Sequence, residues 1–204
     1  MSKKAELTII LPNYNSQLYL KKTLQSITSQ SYQKWNLIIV DDNSNVETKK
    51  ILNKFGKHRK IKIFYLRVNR GAAYCRNFAL KKVKSKYVAF IDSDDIWLKN
   101  KLKLQVDFMK KNQYAFTYTC YETFGEKRRK IYPPDRINYK NFLKNTSIAT
   151  STMILSKKII KGVKFTDTKI CEDYFFKCNI LKRINYAFCF NKILTRYRIR
   201  KDSL

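Results

Sequence analysis

The sequence contains few acidic residues, glycines, prolines and histidines. Its 204 residues include 15 acidic side chains against 44 basic ones, with four glycines, three prolines and one histidine. So few glycines and prolines argue against a disordered chain or a flexible linker. A single histidine argues against catalytic triads and histidine-rich metal sites. With 44% hydrophobic residues and no fixed-period repeat, the length suits one domain with a real core, residues 1–204.

Long hydrophobic runs are also missing. No apolar run approaches the roughly 20 residues that span a bilayer, so we expect no membrane-spanning helix. Residues 1–6 are polar and no secretory signal peptide is visible. The five cysteines lack the paired close spacing of a zinc site, and we expect reduced thiols in a cytoplasmic protein.

Positive charge is what the sequence has in excess. The formal net charge is +29, a field that attracts nucleic acid, anionic lipid or phosphorylated small molecules. Two interpretations stay open. The lysines could form a solvated surface that reflects genome composition. Alternatively, they bind an anionic membrane surface, where each contributes on the order of 1 kcal/mol.

Strands and helices alternate in the first half of the chain. Apolar β-rich runs occupy residues 7–11, 37–40, 61–66 and 87–91, with helical patterns between them. Strands that are apolar throughout predict an α/β fold with a parallel sheet covered on both faces. Three of these strands end in polar clusters, which should converge because such sheets bind ligands at the carboxyl ends of their strands. The second half, with strand patterns at 186–190 and 193–199 among others, predicts a smaller antiparallel addition.

The sharpest local feature is Asp92-Ser93-Asp94-Asp95, three carboxylates within four residues after a buried strand. Such carboxylates repel one another unless a cation lies among them. Mg²⁺ or Mn²⁺ takes one or two carboxylates and completes its shell with phosphate oxygens. The alternative is ordinary capping at a helix start. In a chain so poor in acids, the cluster favours a metal.

Three further patterns are weaker taken alone. Asp41-Asp42 at a strand end suits a ribose or a base edge, or else the cap of the next helix. Glu172-Asp173 before an aromatic run suits a general base, or else compensation of a helix dipole. Arg196, Arg198 and Arg200 alternate along a strand pattern, so they share a face that could hold phosphates, or else is simply solvated.

Five motifs in order resemble glycosyltransferase family 2, with the GT-A fold. They are residues 9–15 (IILPNYN), 40–44 (VDDNS), 71–77 (GAAYCRN), 90–97 (FIDSDDIW) and 172–173 (ED). The resemblance runs from residue 7 to about 200 and is greatest with small bacterial enzymes that decorate surface polysaccharide or lipooligosaccharide. It implies a Rossmann-like, mostly parallel sheet, with residues 1–97 as the nucleotide-sugar half and 98–204 as the acceptor half.

The resemblance also implies a function and a role for each site residue. The chain would transfer a sugar, with inversion, from a nucleotide-diphosphate donor, commonly a UDP-sugar, to a glycan or lipid-linked acceptor, with Mn²⁺ or Mg²⁺. Asp173 would be the general base, and Asp94 with Asp95 beside it the metal ligands. The nucleotide sugar would be bound by Pro12, Tyr14, Asp42, Arg76, Asp92 and Asp94.

One departure and several alternatives accompany this interpretation. The family often has threonine after the first-strand proline, where this chain has Asn13. A basic nucleic-acid-binding protein is the main alternative, although acidic clusters at strand ends would repel a polyanion, so nucleic acid is not the expected partner. A non-catalytic relative and a nucleotidyltransferase are the others. We expect a cytoplasmic protein, peripheral at the inner face of the plasma membrane.

Overall fold

Ten strands form one sheet in the computed structural model, which describes residues 5–168 and 171–200. The strands are β1 (Leu7–Asn13), β2 (Trp35–Asp41), β3 (Ile61–Tyr65), β4 (Tyr87–Phe90), β5 (Ile96–Trp97), β6 (Phe116–Gly125), β7 (Lys130–Ile131), β8 (Arg136–Ile137), β9 (Ile154–Ser156) and β10 (Ala187–Ile199). The helices are α1 (Leu20–Thr28), α2 (Val46–Gly56), α3 (Gly71–Leu80), α4 (Lys101–Asn112), α5 (Tyr139–Phe142), α6 (Lys157–Ile160) and α7 (Glu172–Leu181), with a 3₁₀ turn at Thr150–Thr152.

The sheet is mostly parallel, with short antiparallel strands inserted or added. Its order is β3-β2-β1-β4-β9-β6-β10-β5, with β7 beside β6 and β8 beside β10. The first four strands are parallel to one another. Because β9 is antiparallel to both β4 and β6, β6 runs the same way as β4, and so does its parallel neighbour β10. The ends of β1, β2, β4, β6 and β10 therefore share one edge, which we call the carboxyl edge.

Two apolar cores cover the two faces of the sheet. Successive residues of β1 point to opposite faces, so Ile9 packs with α1 and α4 on one side and Ile10 with α3 and α7 on the other. All seven residues of β1 are buried, as expected of a strand covered on both faces. The predicted α/β class with a parallel sheet is confirmed.

One local expectation is wrong. The strand patterns at 186–190 and 193–199 belong to one strand, β10, whose pairing with β6 shifts register on either side of Ile193. The polar pair Asn191 and Lys192 hides that continuity in the sequence.

Within residues 5–168 and 171–200, no helix is both long enough and apolar enough to cross a bilayer.

Candidate active site

A cleft of about 460 Å³ opens at the carboxyl edge, between the end of β4 and the end of β10. The sequence-predicted nucleotide-sugar residues all line it, although they come from four separate segments: Pro12, Tyr14, Asp42, Arg76, Asp92 and Asp94. Tyr197, Arg198 and Arg200 of the β10 end complete the opposite wall. The predicted convergence of the strand ends is thus present, while Asp95 and Asp173 lie outside the lining residues.

Asp42 is held by backbone rather than by side chains. Its two carboxylate oxygens accept the N–H groups of Arg70 and Gly71, at 2.8 and 2.7 Å, where α3 begins. Gly71 has a φ of +82°, a conformation that other residues adopt only at a cost. The alternative that the Asp41-Asp42 pair caps the next helix is wrong, because Asn45 caps α2. Each oxygen of Asp42 retains a further lone pair for a ligand.

Asn13, the departure from the family pattern, joins the ends of β1 and β2. Its amide donates to Asp41 at 2.7 Å and to the Ser44 hydroxyl at 3.2 Å. The neighbouring Tyr14 is 53% exposed, so its ring is free to meet a ligand. The pair therefore gives the cleft one rigid wall and one accessible aromatic ring.

Arg76 is the centre of the charged network. Its guanidinium donates to Asp92 at 2.6 Å and to Glu172 at 2.8 Å, and its side chain is only 6% exposed. Burial alone would lower the pKa of Arg76, but the negative charges of Asp92 and Glu172 outweigh burial and raise it. The arginine consequently remains charged and ties the end of β4 to the start of α7.

Asp94 and Asp95 face different surroundings. Asp94 lines the cleft, and its carboxylate lies 3.1 Å from Nε of Arg200. Asp95 is buried; one oxygen accepts the backbone N–H of Arg198 at 2.8 Å, and the other has no hydrogen-bond partner among the described residues. Burial, followed by the charge of Asp92, raises the pKa of both carboxyls.

The predicted metal fits Asp94 best. Among residues 5–168 and 171–200, no group of three or more His, Cys, Asp or Glu side chains is arranged to hold an ion. One carboxylate is nevertheless sufficient for Mg²⁺ or Mn²⁺ when substrate phosphates and water fill the other coordination positions. Asp94 offers that carboxylate inside the cleft, and Asp95 as a ligand stays an untested prediction.

Arg196 and Arg198 of β10 make different contacts. Arg198 lies between the rings of Tyr19 and Phe124, at 4.2 and 4.1 Å from their centroids, and donates to the Asp94 carbonyl. This stacking holds its guanidinium at the cleft wall. Arg196, which was predicted to share a face with Arg198 and Arg200, pairs with Glu122 and does not line the cleft.

Asp173 lies behind this network, next to Glu172 in the first turn of α7. Its Oδ2 atom accepts a hydrogen bond from Thr150 at 2.6 Å and one from Lys177 at 2.8 Å. Burial would raise the pKa of this carboxyl, but Lys177, Thr150 and Arg76 together lower it to about 2. Asp173 is therefore ionised at neutral pH.

Sequence reasoning missed the residues that hold Asp173. Thr150 carries no recognisable signal, because its 3₁₀ turn reaches α7 only through the fold. Lys177 does carry one, since a lysine four residues after an aspartate on a helix is placed to pair with it.

A second, larger cleft lies near the start of β4, toward the opposite edge of the sheet, with a volume of about 1030 Å³. It is rimmed by lysines over an apolar floor: Lys81, Lys84, Lys86, Lys157, Lys158, Lys161 and Lys164. Glu6 is the one acid among its described lining residues, and it already pairs with Lys34 and Lys110. We call this the lysine cleft; its described lining offers no unpaired carboxylate that could hold a metal ion.

The Arg76 network leads to a stability prediction. Arg76→Met leaves Asp92 and Glu172 without their shared partner, and we expect it to lower the free energy of unfolding by about 3 kcal/mol, as for other broken buried pairs. Lys103→Met, which breaks the exposed Lys103–Asp107 pair, should cost less than about 1 kcal/mol. Urea denaturation at neutral pH measures both, and equal losses would contradict the central role of Arg76.

Sequence comparisons agree with this geometry. A sequence model of the family described as "Glycosyl transferase family 2" matches residues 8–181. The putative teichuronic acid biosynthesis glycosyltransferase TuaG of Bacillus subtilis is 34% identical over 206 residues, which cover 98% of this chain and 82% of the relative. An Escherichia coli enzyme, the UDP-Glc:alpha-D-GlcNAc-diphosphoundecaprenol beta-1,3-glucosyltransferase WfgD, is 34% identical over 97% of this chain and 78% of its own length.

Structural comparisons give the same fold. TarS of S. aureus, solved in complex with UDP-GlcNAc, superposes with a TM-score of 0.85 at 22% identity, over 97% of this chain and 60% of that one. The mannosyltransferase PcManGT of Pyrobaculum calidifontis, solved with GDP-Man and Mn²⁺, gives 0.77 at 14% identity, over 99% of this chain and 59% of that one. The nucleic-acid-binding alternative receives no support from these comparisons. The chain belongs to glycosyltransferase family 2, with the GT-A fold that its motifs predict.

Proposed function

We propose that the protein transfers a hexose, with inversion, from a UDP-sugar to a hydroxyl of a lipid-linked sugar in cell-surface glycan synthesis. The observation that carries this proposal is the meeting of the six donor residues in one cleft that Arg76 joins, through Glu172, to the helix of Asp173. The named substrates of WfgD and the UDP-GlcNAc bound to TarS support the donor class and the acceptor class.

Donor binding would use the whole length of the cleft. Pro12 and Tyr14 border the base and ribose, and the remaining lone pairs of Asp42 accept from the base. Asp92 faces the ribose and the diphosphate, while Arg76 holds Asp92 in place. The guanidinium groups of Arg198 and Arg200 lie opposite, where they can contact phosphate oxygens.

Asp94 would hold Mn²⁺ or Mg²⁺ against the diphosphate, with Asp95 beside it. When bound, the ion neutralises the charge that develops on the leaving UDP. In the described structure Arg200 provides a positive charge 3.1 Å from the Asp94 carboxylate. This ion pair supports the proposal that a cation can lie against Asp94.

The transfer step needs one base and no protein nucleophile. The acceptor hydroxyl attacks the anomeric carbon, the bond to the diphosphate oxygen breaks with its electron pair on UDP, and the proton passes to Asp173. A carboxylate is suited to this because it is already ionised when the acceptor arrives.

We further propose that the protein works at the cytoplasmic face of the membrane and binds anionic lipid there. The five cysteines are all free thiols, which suits a reducing compartment. The net charge of +29, with seven lysines around the lysine cleft alone, supports attraction to an acidic surface.

Donor binding and metal binding should be coupled. UDP with Mn²⁺ should raise the melting temperature by about 5 °C or more at saturating nucleotide, and UDP with a chelator by much less, because a ligand stabilises the folded state according to its affinity. Asp94→Asn should reproduce the chelator result, whereas Asp107→Asn on the exposed face of α4 should not. Equal stabilisation with chelator would remove the metal from the proposal.

Removal of the base should separate chemistry from binding. Asp173→Asn should leave UDP affinity nearly unchanged and lower turnover about 100-fold or more, measured as UDP release from a panel of UDP-sugars with a GlcNAc-diphospho-lipid acceptor. Glu172→Gln, which keeps a hydrogen-bond acceptor for Arg76, should cost less. Near-normal turnover of Asp173→Asn would place the base elsewhere, and loss of UDP binding would make Asp173 a structural residue.

Membrane binding should depend on lipid charge. We expect sedimentation with liposomes that contain acidic phospholipid, and release at high salt, because exposed charges are screened beyond about 8 Å at physiological ionic strength. Neutral liposomes are the control. Binding to neutral liposomes, or no binding to acidic ones, would assign the lysine excess to composition alone.

A further inference from the structure

Lys177 is a buried lysine on the inner face of α7. Its side chain is 5% exposed, and its ammonium group donates to Asp173 Oδ2 and to the carbonyl of Ile148, at 2.8 Å each. The ring of Phe142 lies 5.8 Å from the same nitrogen. A buried ammonium group is costly unless it is paired and hydrogen-bonded, so this lysine depends on Asp173 as much as Asp173 depends on it.

The two donors to Asp173 converge on one oxygen. Thr150 and Lys177 both bind Oδ2, from the 3₁₀ turn and from α7 respectively. Within the described part of the chain, no hydrogen bond reaches Oδ1, and the Asp173 side chain is 33% exposed. The carboxylate is thus fixed through Oδ2, and Oδ1 is the oxygen that remains for an incoming hydroxyl.

We propose that Lys177 is the positioning residue of the catalytic base: with Thr150 it clamps Oδ2, so that Oδ1 alone receives the acceptor proton. The proposal rests on the base role of Asp173 in the proposed function. Lys177 keeps its own proton throughout, and the acceptor proton ends on Oδ1 as the glycosidic bond forms and UDP leaves.

Several charged or titratable groups lie on the elements around Asp173. Lys177 and Glu172 lie on α7 itself, and Arg76 lies on α3. Tyr197 lies on β10, where the charge of Asp173 contributes to its raised pKa. Burial raises the pKa of the Asp173 carboxyl, and Lys177 is the largest influence that opposes burial. Lys177 thereby helps to hold the pKa of the Asp173 carboxyl at about 2. We expect that pKa to rise when Lys177 is removed, because only Thr150 and Arg76 then oppose burial.

Such a clamp has a consequence for the reaction. A carboxylate with so low a pKa is always in the correct protonation state but is a weak base. It takes the proton late, when bonding to the anomeric carbon has made the hydroxyl acidic. Loss of the clamp should therefore affect turnover and its pH dependence more than donor affinity.

The test first measures the pKa of the Asp173 carboxyl and then the pH dependence of turnover. Carbon NMR of protein labelled at aspartate carboxyls follows the titration of Asp173, which Asp173→Asn assigns by loss of its signal. Lys177→Met should raise the midpoint by about 1 pH unit or more, Thr150→Val by less, and Lys177→Arg should remain near the wild type. Lys101→Met is the matched control, because Lys101 is equally buried and burial alone lowers its pKa.

The rate measurement uses UDP release from the UDP-sugar that stabilises the protein most, as a function of pH. For Lys177→Met the acidic limb of kcat should move upward together with the NMR midpoint, while KM for the donor changes less than about twofold. If Lys177→Met cannot be obtained folded, Thr150→Val and Lys177→Arg provide the same comparison.

Three results would overturn the proposal. The first is an unchanged Asp173 titration in Lys177→Met. The second is a shifted titration with an unmoved rate profile, which would make the pair purely structural. The third is near-normal turnover of Asp173→Asn. That result would show that Asp173 is not the base, whereas donor binding and the remainder of the proposed function could still be correct.

Discussion

The double ion pair of Arg76 is the interaction on which the site depends. One guanidinium, 6% exposed, pairs with both Asp92 at the end of β4 and Glu172 at the start of α7. These two acids belong to segments 80 residues apart in the sequence. One lies beside the cleft at the carboxyl edge and the other beside Asp173. Because the arginine binds both carboxylates, it fixes the distance between the cleft wall, where we propose that the donor binds, and the start of α7, where we propose that the acceptor is deprotonated.

Other acids at the carboxyl edge also hold parts of the cleft in place. Asp42 binds the first N–H groups of α3 with both of its oxygens, and Asp95 binds the backbone of β10 with one, so each holds a wall of the cleft in place. Asp94 keeps its carboxylate within the cleft. A cluster that reads as one metal site in the sequence is therefore divided in space. Within that cluster Asp95 binds the backbone of β10, whereas Asp94 lines the cleft, where we propose that it holds the ion.

Much of the fold follows from the sequence because buried parallel strands have an unambiguous pattern. The runs at β1, β2 and β4 are apolar on both faces, and their polar ends had to meet at one edge, so the donor residues could be predicted to lie together. The β10 strand was predicted in two pieces, because a register shift places polar Asn191 and Lys192 inside it. The partners of Asp173 could not be predicted in full: Lys177 is local, but Thr150 reaches Asp173 only through tertiary packing.

The most direct test of the account is a crystal structure of the protein with UDP and Mn²⁺. We expect uracil against Pro12 and Tyr14, and the ion on Asp94. The diphosphate should lie between Asp92 and the pair Arg198 and Arg200, with the Arg76 bridge unchanged. UDP bound in the lysine cleft, or a diphosphate in the cleft at the carboxyl edge with no ion on Asp94, would contradict these expectations.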